Sequence, residues 1–196
     1  NVGQNPWPGI IFDYYLPHDL SDSATLKLEI LDEEGKLVRS MDNKRPEDFK
    51  TWPGGPPQPR VLPSKPGLNR FNWDLKREAL PAVDGIFVFG GLDGSTAGPG
   101  NYTFKLTLDE KSAEQEAILL ADPRIGAKAE DYARQNIILV QIEEIMSEVQ
   151  NSVSALRSVK TQLNHSLELL EGGKGSEDLI NSGKEALKAI SSWEEK

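Results

Sequence analysis

The spacing of apolar residues changes once along this chain, and the change divides it in two. Up to about residue 120, apolar and polar side chains alternate in short runs separated by turns. From residue 129 onward apolar residues recur every third or fourth position instead. A period of two predicts strands half-buried in a sheet, and a period near 3.6 predicts an amphipathic helix.

In the first part, residues 9–16 form an apolar run that stops at Pro17. Residues 24–31 alternate cleanly, meet Asp32, Glu33, Glu34 and Gly35, and resume at 36–39, which predicts a β-hairpin. Further strands are predicted at 68–75 and 85–89, and residues 101–108 pair with 114–120 across a turn at 109–112. Six or seven short strands of this kind predict an antiparallel, immunoglobulin-like β-sandwich. Residues 41–62 fit no strand: Pro46, Pro53, Pro56, Pro57 and Pro59 make them a long irregular excursion.

In the second part Ile138, Ile142, Ile145, Val149, Val153, Leu156, Val159, Leu163, Leu167 and Leu170 step by three or four throughout. They predict one long helix over about 129–171, ended by the glycines at 172, 173 and 175. Residues 126–129 offer it no good N-cap. Ser176 caps a second helix, about 176–195, and the two make an αα-hairpin. The fold class is therefore segregated α+β, with a sandwich over 1–125 and a helical hairpin over 126–196.

These lengths do not match. At about 1.5 Å per residue the first helix runs roughly 60 Å, whereas a 125-residue domain is roughly 36 Å across. The helix must overhang its sandwich, and the short second helix covers only the Gly172 end. About half of the apolar stripe is left over, and it is the richer half, since Ile137, Ile138, Leu139 and Val140 surround most of the helix. The sandwich, a further helix or another chain must cover it. The interface candidates are Ile137, Ile138, Val140, Ile142, Ile145 and Met146.

Composition narrows the functional classes. With 31 acidic and 22 basic residues the net charge is -9, a surface that repels phosphate backbones, so nucleic acid is not an expected partner. No stretch has the length and apolarity of a membrane span. The absence of cysteine removes disulfides, thiolate nucleophiles and Cys-based zinc sites. The chain starts at Asn1, and Met41 and Met146 are its only methionines, so it is expected to be a processed or excised piece. Its last residues keep a helical pattern without a stop signal. Native sequence is accordingly expected to continue past Lys196 and add a third helix.

Candidates for chemistry are few. His18 and His165 sit in different elements and read as solvated or structural side chains. Asp32, Glu33 and Glu34 lack the alternating spacing of a calcium loop, and Asp93, Gly94 and Ser95 read as an ordinary glycine turn. The glycines at 90, 91 and 94 are not followed by the Lys-Ser/Thr pair of a phosphate loop. Asn101 and Asn164 begin glycosylation sequons. Trp7 and Trp52, each beside prolines, are candidates for stacking on sugar rings, although tryptophan in such a setting more often pins a loop to a core. Trp73, in line with Phe71 and Leu75, reads as core. No cofactor or metal is expected.

Several segments together carry a resemblance. They are Asn5-Pro6 leading into 10–17, residues 28–32 with 35–39, the run Asn69-Arg70-Phe71-Asn72-Trp73-Asp74-Leu75, residues 98–103, and Ala121-Asp122-Pro123-Arg124. In this order they resemble the C-terminal region of bacterial sortilin-like, BNR (Asp-box) β-propeller proteins, often labelled glycosyl hydrolases. The resemblance implies an upstream β-propeller, an extracytoplasmic location, and a helical tail that runs on beyond this chain. No Asp-box occurs in these residues, so no catalytic residue can be assigned. The expected function is that of a non-catalytic accessory region, packing against an upstream propeller or forming a homodimer through its helices. The alternative is a glycan-binding sandwich, and an enzyme would require a pair of carboxylates converging in a cleft.

Overall fold

A computed structural model describes residues 3, 9–173 and 176–194. Among the described residues six strands are followed by two helices: β1 (Ile10–Leu16), β2 (Leu26–Leu31), β3 (Leu37–Asp42), β4 (Gly67–Trp73), β5 (Gly100–Leu108), β6 (Lys111–Leu119), α1 (Ala129–Gly172) and α2 (Glu177–Glu194). All strand pairs are antiparallel. β1 pairs with β4 in one sheet, and the other has the order β3-β2-β5-β6.

Alternation decides what lies between the sheets. Leu26, Leu28 and Ile30 of β2 point inward, with Val38, Met41, Tyr102 and Phe104 from the neighbouring strands. Tyr14, Leu16, Phe71 and Trp73 face them from the two-stranded sheet. Aromatic rings lock the layers together, with Trp73 edge-on to Tyr102 at 5.1 Å and Phe12 against Phe104 at 5.6 Å. Trp73 is fully buried and donates its indole N–H to the Lys76 carbonyl, so it belongs to the core as expected.

The β2–β3 turn closes on Gly35, whose φ of 77° is ordinary only for glycine, while the Asp32 carboxylate accepts the N–H groups of Glu34 and Lys36. Three expectations need correction. The reading of 41–62 as outside any strand fails at its first two residues, because Met41 and Asp42 complete β3 and the Met41 side chain is buried in the core. Residues 85–89 do not form a strand; their backbone is used in turns, with Ile86 N–H to Val83, Val88 N–H to Gly54 and Gly91 N–H to Val88. The run has strand-forming side chains but no strand edge to pair with, and Phe89 is 96% exposed. The strand expected over 68–75 stops at Trp73, because Leu75 takes a left-handed φ of 65° and turns the chain away.

The helices lie where the 3.6 period put them. α1 begins at Ala129 without a capping side chain at Lys128; the Asp131 carboxylate accepts the Lys128 N–H at 2.9 Å instead. The Ser176 carbonyl receives the first N–H groups of α2, from Leu179 and Ile180.

Candidate functional site

The feature that stands out is the way α1 is mounted. Polar contacts tie it to the sandwich. Arg77 donates from Nη2 to Asn136 Oδ1 at 2.5 Å, and the Ser95 N–H donates to Glu143 Oε1 at 2.6 Å. Lys36 pairs with Glu144 at 3.4 Å, and Arg157 donates to the Asp84 carbonyl at 3.1 Å. Arg77 is itself tied down, since its carbonyl accepts from Arg39 and its N–H donates to Ser95. The surface that receives the helix is made of loops with backbone groups to satisfy, and polar side chains suit it better than apolar ones.

At about 100° per residue, Asn136, Val140, Glu143 and Ser147 share one side of α1. Ile138, Ile142, Ile145 and Val149 share the opposite side. The helix thus turns its polar side to its own sandwich and its apolar stripe outward. Those four residues remain 47–61% exposed.

Further along, the same stripe is covered. Leu167 is the one buried residue of α1, and Gly183 of α2 lies against it. Counting antiparallel from that contact sets Ile180 beside Leu170 and Leu187 beside Leu163, all half-buried, and brings the end of α2 abreast of about Leu156. From there back to Ala129 the stripe has no cover among the described residues.

The six interface candidates therefore separate. Ile138, Ile142 and Ile145 lie together on the open stripe. Val140 is half-buried and faces the sandwich across a gap lined also by Leu37, Leu80 and Glu143. Ile137 sits on the shoulder between the two sides, at the rim of a cleft, and Met146 is half-buried on the other flank. Val149 belongs to the open stripe as well and is the natural fourth member by its spacing. The joint residues Arg77, Asn136 and Glu143 had no signal in the sequence, because each partner pair is separated by 48 or 59 positions.

The cleft beside the start of α1 encloses about 540 Å³ and is lined by Asp32, Glu33, Glu34, Arg77, Tyr132 and Asn136 among others. Its three acids are consecutive on one turn, and Asp32 is held by backbone N–H groups, so this is not a pair of carboxylates converging from two walls. Among the described residues no group of three or more His, Asp or Glu side chains is placed to hold a metal ion. His18 and His165 are both exposed.

Trp52 is engaged within its own part of the fold. Its indole N–H donates to the Ile86 carbonyl at 2.8 Å, and its ring lies so close over Gly55 that a Cβ there would come within 2.6 Å of it. Trp7 lies outside the described residues. No described helix is long and apolar enough to cross a membrane. No protein-family model, curated protein or solved structure matches this chain.

Proposed function

We propose that this chain is a non-catalytic interaction region. Its sandwich and polar joint hold a long helix steady and present the apolar side of that helix to another protein surface. One observation carries the reading: Ile138, Ile142, Ile145 and Val149 point away from the sandwich on which α1 is mounted, and no described residue covers them. A contiguous apolar strip left open on a helix is characteristic of a protein–protein contact. The resemblance to propeller-linked C-terminal regions agrees with an accessory role in a larger extracytoplasmic protein, with an upstream propeller as one possible neighbour.

The glycan-binding alternative draws less support. One face of the Trp52 indole lies over its own loop and its N–H is committed to Ile86, which leaves less of the ring for a sugar. The interaction reading is tested by the double variant Ile138→Asp/Ile142→Asp. Both side chains are half-exposed, so far-UV circular dichroism should be unchanged. Association of the chain with itself or with a co-expressed upstream propeller should disappear. Assembly identical to that of the unaltered chain would refute the reading.

A further inference from the structure

We infer that the open half of the α1 stripe takes a second copy of this chain, packed antiparallel about a two-fold axis at Gln141 and Ile142. This inference rests on the interaction reading above and names the partner.

Three features support this arrangement, and the last two place its axis at or next to Gln141 and Ile142. The first is continuity with the hairpin seam. The line that α2 already occupies over Leu163, Leu167 and Leu170 continues without a break in spacing through Val149, Ile145, Ile142 and Ile138. A surface that accepts an antiparallel helix over one half is shaped for another over the rest.

The second is length. The open stretch runs from about Leu156, abreast of the end of α2, to Ala129, where α1 begins, and its midpoint falls between Ile142 and Glu143. A second copy brings an open stretch of the same length. The two can cover each other end to end, each abutting the other's α2, while both sandwiches stay on the outer sides.

The third is charge. Arg134 lies two helical turns before Gln141 and Glu148 two turns after it, on the same edge of the stripe, and both are exposed. An antiparallel partner centred at Gln141 sets each Arg134 opposite the other copy's Glu148. A parallel partner would set like against like. About the same axis Ile142 lies about 3 Å along the helix from its own counterpart and Ile145 about 1.5 Å from Ile138 of the other copy, at 1.5 Å per residue, so the apolar positions fall close to level in the register that the charges select.

One helix face is a small interface, and the assembly should depend on concentration. Sedimentation equilibrium of the full chain should show the mass rising from 21.7 kDa toward twice that value. Ile142→Arg puts two cations on the axis and should hold the protein monomeric, with unchanged dichroism. Arg134→Glu should weaken the dimer about tenfold, or roughly 1.4 kcal/mol, and Arg134→Glu/Glu148→Arg should restore it. The chain has no cysteine, so Gln141→Cys introduces a single thiol, which should form a disulfide-linked dimer on mild oxidation. Ser152→Cys, about 33 Å from its mate at 1.5 Å per residue, should not.

A chain that stays monomeric at every concentration overturns the inference, as does a dimer indifferent to Ile142→Arg or a cross-link at position 152. Should the chain remain monomeric while Ile138→Asp/Ile142→Asp still breaks its association with a propeller, or with a longer chain's own helix, the second copy is refuted and the interaction reading stands.

Discussion

Gly183 of α2 lies directly against Leu167 of α1: a Cβ at position 183 would come within 2.8 Å of Leu167 Cδ2. The close approach of the two helices depends on that missing side chain. Alanine would gain about 1 kcal/mol of helix propensity and lose a similar amount by displacing Leu167 from its buried position. Leucine has no such balance. Gly183→Leu should separate the hairpin, seen as faster amide exchange throughout α2 with the sandwich strands still protected. Unaltered protection in α2 would mean that the seam is held elsewhere.

Gly94 provides a second glycine test, inside the sandwich. A Cβ there would stand 2.2 Å from the Glu78 carbonyl oxygen and 2.6 Å from that of Arg77, and backbone yields less readily than a side chain. Gly94→Ala should cost about 3 kcal/mol, the upper end for overpacking, measured by urea denaturation. A loss under about 1 kcal/mol would show that the two segments can part without consequence.

The joint between α1 and the sandwich should behave as a separate unit of stability. Glu143→Ala removes the acceptor for the Ser95 N–H and leaves that half-buried donor unpaired, at a cost of about 1–3 kcal/mol. The expected signature is local. Amide exchange at Ser95 should accelerate and the spread of distances between spin labels on β2 and mid-α1 should widen, with the sandwich core unaffected. A distance distribution as narrow as that of the unaltered chain would count against a polar joint.

Alkaline pH should act through Tyr14. Its hydroxyl donates to the Pro63 carbonyl, and burial raises its pKa well above the ordinary 10.0. The folded chain keeps that proton while the unfolded chain releases it near 10.0, so stability present below that pH is lost progressively above it. Tyr102, buried with its hydroxyl on the Gly98 carbonyl, is shifted in the same direction. Denaturation midpoints should fall as pH passes 10, and less steeply in Tyr14→Phe. A slope unchanged by that substitution would remove Tyr14 as the cause.

Trp52→Ala should release the proline-rich excursion from the 83–91 loop by deleting the bond to Ile86. The expected result is proteolytic nicking between residues 46 and 57 at unchanged core stability. Loss of binding on a glycan array without nicking would instead support the sugar-stacking role.

Much of this architecture was legible along the chain because it depends on local periodicity. One apolar run and the alternating runs located the six described strands, and the three-and-four steps from Ile138 to Leu170 gave the span of α1 within a residue. The failures have a common cause. Residues 85–89 have the side chains of a strand, but strand formation needs a partner edge, and the backbone of that run is tied into turns and to Gly54. Leu75 has nothing in its type to announce a left-handed backbone.

The sequence by itself determined the fold class, the helix lengths and the surplus of apolar surface on α1, since each follows from residue spacing and the rise of a helix. Which side of α1 meets the sandwich was decided only in three dimensions. Loops distant in sequence bring the Arg77 guanidinium, the Ser95 N–H and the Asp84 carbonyl to one surface. Those groups require polar partners, so Asn136 and Glu143 turn inward, Arg157 reaches across to the Asp84 carbonyl, and Ile138, Ile142 and Ile145 are left facing out.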